Sequence, residues 1–371
     1  MANDRPRVRS RRMPSATREA PAGLAVAVTG AAASVGAAVV AQLAKRPEVG
    51  RVVALDRELG VDDTVEWGLV DVTDPAIVRR FAGCDVVVHA ALDLSVADDP
   101  DVRRRTNVRG TQTVLTAAAA AGVRRVVLLS SAMVYGAKPD NPIPLDEDAP
   151  LAATPDASVV GDLLEIEALA ARAPGAHVGL QVSVVRPAVL VGPGVDTVLT
   201  RHFESPRLLV LRGSLPHWQF CHVEDAAAAM VQAALGNVSG AVTVGADGWL
   251  SQDEVEALSG RSRVELPAAM AYGTAERLHR LGIIPAPATD LQYVAYPWVV
   301  SSARLKKTGW RPAYDNLSAF EAMLEEIAGR HALAARRIGR RETATLGAAG
   351  ATVAVLGTAA IVRRARRRKR H

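Results

Sequence analysis

Only two cysteines, Cys84 and Cys221, occur in 371 residues, which excludes a disulfide-built scaffold. Both lie in apolar stretches and read as buried free thiols of a reducing compartment, so a cytoplasmic location is expected. Aromatic residues make up only 4% of the chain and lysine is scarce beside arginine, a bias that matches coding composition better than function. Residues 1–22 contain no apolar run, so their arginines do not introduce a secretory signal. The interior lacks a basic stripe as well. Residues 5–18 and 363–370 carry much of the net charge of +5, which leaves the middle near neutral and argues against a nucleic-acid partner. No metal site is expected. One further absence is local: residues 150–175 contain no tyrosine, no lysine and no histidine.

What is present suits a soluble globular protein, with 49% apolar and 22% charged residues in a chain long enough for one large or two modest domains. Residues 1–22 are rich in Arg, Pro and Ser and read as a disordered basic N-terminus. From Leu24 the pattern becomes regular. Short Val/Leu runs at 24–29, 51–56, 67–72, 85–90, 125–130 and 181–186 predict strands. Apolar-periodic stretches at 37–44, 74–82, 102–122 and 163–173 predict the helices between them. Unbroken apolar strands alternating with helices imply a parallel sheet covered on both faces, hence an α/β fold of the doubly wound Rossmann type over 23–190. After Gly192-Pro193-Gly194 the alternation weakens. Helices at 223–235 and 251–258 and a strand at 241–244 then predict a smaller, mixed α/β, substrate-binding domain over 191–330.

The first strand runs into Thr29-Gly30-Ala31-Ala32-Ala33-Ser34-Val35-Gly36 and a helix follows. Gly30 suits a tight turn and Gly36 a close helix–sheet approach, and the helix N-terminus offers free N–H groups to a pyrophosphate. Ala33 stands where such a loop usually has its middle glycine, so a methyl group meets the point of closest backbone approach. Asp56 ends the second strand twenty positions after Gly36. A carboxylate there suits the ribose hydroxyls of NAD. Arg57 beside it could meet a 2′-phosphate, so NADP stays open. Asp71-Val72 and His89-Ala90-Ala91 end the third and fourth strands and are expected to line the same crevice. The bland alternative is a plain strand–helix turn with a surface acid. Strand, glycines, helix and Asp at these spacings together weigh against it.

These residues, with Asn107-Val108-Arg109-Gly110-Thr111, Ser130-Ser131-Ala132-Met133-Val134-Tyr135-Gly136, Arg186-Pro187, His222-Val223-Glu224-Asp225 and Thr308-Gly309-Trp310, resemble the extended short-chain dehydrogenase/reductases. The likeness is to their NAD-dependent epimerase/dehydratase branch, covers residues 24–325, and is narrowest to actinobacterial UDP-glucose 4-epimerase-like proteins, not all of which keep the full active site. It implies NAD as cofactor, a nucleotide-sugar as substrate and a homodimer paired through the helices at 102–122 and 163–173. Thr29, Gly30, Ala33, Ser34, Val35, Gly36, Asp56, Arg57, Asp71, Val72, His89, Ala90, Ala91, Asn107 and Pro187 are the implied cofactor contacts. Ser131 matches the serine that hydrogen-bonds the substrate oxygen, and Asn107 the helix residue that supports the site. The family's tyrosine moves the proton, and its lysine lowers that tyrosine's pKa. A phenol near its ordinary pKa of about 10 is a poor base at neutral pH without such a cation. Those two should fall at Ser158 and Asp162, or at Val159 and Leu163, and neither alignment supplies them. Tyr135 is a weak candidate base, more readily read as a pocket wall. His89 reads as packing near the cofactor and His222 as a helix opener. Glu165 and Glu167 read as helix acids rather than a new base.

Two functions therefore stay open: an NAD-dependent epimerase, dehydratase or reductase with a substitute proton carrier, or a non-catalytic NAD(H)-binding sensor or scaffold. The tail, 331–371, adds a separate question. Residues 343–362 carry no charge and match the length that spans a bilayer. Gly347, Gly350 and Ala354 would let two such helices pack closely. The seven basic residues in 363–370 would each favour anionic lipid by about 1 kcal/mol. Yet the positive-inside rule puts that end in the cytoplasm, and a single span would then hold the cofactor domain away from NAD. A membrane anchor and a peripheral or disordered basic tail stay equally open.

Overall fold

The computed structural model describes residues 23–32, 34–95, 99–330, 332–333 and 336–337. The N-terminal 22 residues, Ala33 and the apolar segment 343–362 lie outside them. The chain opens with β1 (Leu24–Thr29), α1 (Ser34–Leu43), β2 (Val49–Asp56), β3 (Glu66–Leu69) and β4 (Val86–His89). It continues with α2 (Pro100–Arg104), α3 (Gly110–Ala120), β5 (Arg125–Leu129), α4 (Val159–Ala176), β6 (Gln181–Pro187) and β7 (Val189–Val191). Next come α5 (Val198–Phe203), β8 (Leu208–Leu211), β9 (His217–Trp218), β10 (Phe220–His222), α6 (Val223–Ala234) and β11 (Gly240–Val244). Beyond these lie β12 (Leu250–Ser251), α7 (Gln252–Ser259), β13 (Arg263–Leu266), α8 (Ala268–Arg280), α9 (Ala303–Lys306) and α10 (Asn316–Glu326).

Seven strands form one sheet in the order β11-β6-β5-β4-β1-β2-β3, and every pairing is parallel. Alternate residues of each strand face opposite layers. Val26, Val28, Val86 and Val88 pack in one core with Val35, Val39 and Leu43 of α1 and Met230 of α6. Ala27, Val53, Val87 and Leu128 pack in the other with Val114 and Leu115 of α3 and Leu163 and Ile166 of α4. Burial on both faces explains why the strands read as continuous apolar runs.

Three departures from the sequence expectation have local causes. The helix expected at 74–82 is a 3₁₀ turn, Pro75–Arg79, started by the Asp74 side chain accepting from Ala76 N. The helix expected at 102–122 begins at Pro100 and is interrupted by a π turn, Arg105–Arg109, which holds Asn107. The helix expected at 163–173 starts four residues earlier, at Val159, because Ser158 Oγ accepts from Val160 N and Gly161 N and caps it. Beyond residue 190, β11 extends the sheet beside β6, and α6 packs on α1.

Candidate functional site

Gly30 sits at φ +72°, and a Cβ there would lie 2.5 Å from Ala91 N. At Gly36 a Cβ would lie 1.8 Å from Gly30 O. Both positions therefore exclude any side chain, and the turn brings the α1 N-terminus against the end of β4. Asp56 Oδ2 accepts from Ala32 N at 2.9 Å and its Oδ1 from Arg57 N at 2.7 Å. The second strand's terminal carboxylate is thus locked beside the glycine turn. Arg57 turns to Asp71, with Nη2 to Oδ2 at 2.9 Å. Partial burial pushes the Asp71 carboxyl up, but hydrogen bonds from Thr73 and the Arg57 guanidinium outweigh it and hold its pKa below the usual value. The cation available to a 2′-phosphate is already engaged. Val72 is buried and meets Gly110, where a Cβ would lie 2.7 Å from Val72 Cγ2.

His89 is fully buried, with Nδ1 2.7 Å from Thr29 Oγ1 and Nε2 3.1 Å from Thr111 Oγ1. Thr111 spends its own proton on the Asn107 carbonyl at 2.6 Å. It must therefore accept from Nε2–H, which leaves Nδ1 to accept from Thr29. Burial pushes the imidazole down to about 4, in keeping with this neutral tautomer. His89 ties β1, β4 and α3 together. Asn107 donates from Nδ2 to Asp93 O at 2.9 Å and accepts at Oδ1 from Asp93 N at 2.8 Å, fixing the segment after β4.

A cleft of about 400 Å³ opens at the carboxyl ends of β1, β2 and β4. Gly30, Ser34, Val35, Asp56, Arg57, Val72, Ala90 and Ala91 line it. This is the switch point where the strand order reverses, the place where such sheets bind nucleotides. Its glycine turn, helix N-terminus and terminal carboxylate fit a dinucleotide.

A second cavity, of about 130 Å³, adjoins the cleft, and Leu94, Leu190 and Thr197 line both. Ser131, Ser158 and Pro187 reach it, and most of its remaining wall is apolar, including Met133, Leu199 and Trp298. Ser131 caps the 3₁₀ turn Ala132–Tyr135, accepting from Met133 N at 3.2 Å, and so keeps its hydroxyl proton for donation. Asp162 is completely buried. Arg103 Nε donates to its Oδ2 at 2.8 Å, and Asn107 Nδ2 does so at 3.3 Å. Arg103 itself lines the cavity. A cation thus stands near the position expected for lysine, but it arrives from α2 and is bound to a carboxylate.

Tyr135 takes a different role from that of a base. Its hydroxyl accepts from Arg186 Nη1 at 2.7 Å, and the guanidinium lies 5.2 Å from its ring centroid. Burial pushes the phenol up to about 12, with Arg186 pulling only partly the other way. Arg186 grips Glu167 with two hydrogen bonds, at 2.9 and 2.8 Å, and Ser130 Oγ donates to Glu167 Oε1 at 2.7 Å. Glu167 is therefore a buried structural partner rather than a surface acid, and Tyr135 does not line the cavity. His222 caps α6 and stacks on Tyr314 at 3.8 Å.

Sequence reasoning missed Arg103, the Glu167–Arg186 pair and Asp290, an acid on the cavity wall. The one signal for Arg103 was the implausibility of an unpaired Asp162 inside an apolar helix face. Among the described residues no helix is long and apolar enough to cross a membrane. None of them form a group of three or more His, Cys, Asp or Glu able to hold a metal ion.

An uncharacterised protein of Mycobacterium tuberculosis is 28% identical over 312 residues, 80% of this chain and 82% of that protein. The 3-diazoavenalumate denitrifying reductase of a Streptomyces species is 34% identical over 223 residues, 56% of this chain and 66% of its own. Among solved structures, the UDP-glucose 4-epimerase of Thermus thermophilus in complex with NAD shares the fold, at 21% identity and TM-score 0.62, over 82% of this chain and 99% of that one. A family model described as the NAD dependent epimerase/dehydratase family matches residues 26–245. The chain therefore belongs to the NAD-dependent epimerase/dehydratase family of extended short-chain dehydrogenase/reductases, whose cofactor is NAD.

Proposed function

We propose that the protein is an NAD-dependent enzyme acting at a hydroxyl- or carbonyl-bearing carbon, of the kind that epimerases and dehydratases of nucleotide-linked sugars work on. The observation that carries this reading is the continuity of the two cavities, one fitting a dinucleotide and one presenting Ser131, through Leu94, Leu190 and Thr197. When bound, NAD supplies a two-electron acceptor at its nicotinamide. Gly30 and Gly36 admit the pyrophosphate to the α1 N-terminus. Asp56 accepts from the adenosine ribose. Ser131 donates to the substrate oxygen, and the apolar wall around it excludes water, which strengthens that hydrogen bond.

A second reading of the substrate follows from the lining. A sugar brings many hydroxyls, and each one buried without a partner costs about 1–3 kcal/mol. Met133, Leu199, Val189 and Trp298 offer none. A compact apolar alcohol or ketone fits this wall better, and the similar Streptomyces protein is by name a 3-diazoavenalumate denitrifying reductase. Incubating the full chain with NAD(H), UDP- and dTDP-sugars, and a set of aryl and alicyclic alcohols and ketones distinguishes the two by nicotinamide absorbance and product analysis. Binding of NAD with no turnover in either set would instead leave a non-catalytic NAD(H)-binding sensor or scaffold.

A further inference from the structure

The 3₁₀ turn Ala288–Val294 is fastened at both ends. Thr289 Oγ1 donates to Asp156 Oδ2 at 2.6 Å, and the Tyr293 hydroxyl donates to Met133 O at 2.8 Å. Asp156 also accepts from Ser158 N at 3.0 Å. The turn is thereby clamped onto the two segments that carry Ser131 and Ser158. Asp290 lies between the clamps. It lines the 130 Å³ cavity with Ser131, Ser158, Arg103 and His279, and it is the one carboxylic acid to do so among the described residues.

We propose that Asp290 is the proton-carrying residue of this cavity, standing in for the phenol expected at Ser158. The proposal rests on the NAD-dependent reading above. Burial disfavours the charged carboxylate, the Asp156 charge adds to that, and Arg103 opposes both, so Asp290 is pushed up to about 7. Among the described residues, His279 also faces the cavity from α8, and the Tyr293 phenol is pushed up by burial and by the Asp290 and Asp156 charges. A carboxyl poised near neutrality both accepts and returns a proton, which a phenol without its cation does not.

In the oxidising direction the substrate O–H bond breaks and its proton passes to an Asp290 oxygen. NAD⁺ held in the adjoining cleft would supply the two-electron acceptor for the hydrogen of the adjacent C–H bond, which would break as the C=O bond forms. The alcohol would be oxidised to a carbonyl, the cofactor would take up both electrons, and the Asp290 carboxylate would become a carboxylic acid. Reduction runs the same transfers backwards. Ser131 holds the substrate oxygen in both directions.

The test uses the full chain with Asp290→Asn and Asp156→Asn. Infrared difference spectra across roughly pH 5 to 9 should show a carboxyl band titrating near 7. That band should vanish in Asp290→Asn and titrate lower in Asp156→Asn. Turnover of any substrate found above should fall by about 100-fold or more in Asp290→Asn while NAD binding is retained. Absence of the titrating band would overturn the proposal, as would an Asp290→Asn protein with undiminished turnover and an unchanged pH profile. A titrating Asp290 in a protein that binds NAD yet turns over no substrate would overturn it too. Failure of the wild-type protein to bind NAD would instead overturn the NAD-dependent reading, with the infrared band still reporting on Asp290.

Discussion

Arg103 and Asp162 form a buried ion pair, Nε to Oδ2 at 2.8 Å, between α2 and the first turn of α4. Arg104 Nη1 approaches the other carboxylate oxygen at 3.5 Å. Arg103 also donates from Nη2 to Ala157 O at 2.8 Å, so its guanidinium holds the segment leading into α4 as well as the acid within it. The position where relatives are expected to carry a cation holds an anion, and the local charge is balanced from another helix.

Breaking this pair from one side should be costly. Asp162→Ala strands the Arg103 charge and should destabilise by about 3–5 kcal/mol in urea denaturation. Combining Arg103→Met with Asp162→Leu should lose much less than the two single losses added together. Asp162→Lys sets a second cation beside Arg103 and should destabilise as well rather than restore a family-like site. Additive losses in the double variant would refute the coupling.

Gly30 tests the cofactor turn. Gly30→Ala places a methyl group 2.5 Å from Ala91 N at a φ of +72°, so both sterics and backbone oppose it. The expected outcome is a loss of more than about 1 kcal/mol of stability together with NAD binding weakened beyond detection by calorimetry. An alanine variant that binds NAD as well as wild type would remove this turn from the binding site.

Asp56→Ala should weaken NAD binding by about tenfold, as expected for a lost hydrogen bond to a charged acceptor, and should improve NADP relative to NAD. Competition binding with both nucleotides reads the two effects together. Arg57→Ala should change NADP binding little, because that guanidinium is spent on Asp71.

His89 makes stability depend on pH. Its folded pKa is about 4, against 6.5 for a free imidazole. Between those values the unfolded chain takes up a proton that the folded one refuses. This contribution is therefore complete above about pH 6.5 and is lost as pH falls towards about 4, at about 1.4 kcal/mol per pH unit. Denaturation midpoints at roughly pH 7 and pH 5 should differ less in His89→Gln than in wild type. Equal slopes would mean that the imidazole is charged in the fold.

Much of this site is legible in the order of its residues. Gly30, Gly36 and Asp56 are separated by chain distances that strand and helix geometry set, and the strands stand out because burial on both faces leaves mostly Val, Leu and Ala. The role of β11 is not legible there, since a strand of the same composition can pair anywhere in a sheet. The π turn at Arg105–Arg109 is invisible too, because its apolar spacing passes for an ordinary helix.

The family, the sheet, the glycine turn and the absence of tyrosine and lysine over 150–175 are all written in neighbouring residues or short spacings, so chain order alone carries them. Which groups meet around Ser131 and Asp162 emerges only when the chain is folded. Arg103 meets Asp162 across 59 positions, Arg186 meets Glu167 beneath Tyr135, and Thr289 and Asp156 bring Asp290 to the Ser131 cavity across 133. Charge and proton affinity at such a site depend on which groups share a low-dielectric space, and chain order does not record who shares it.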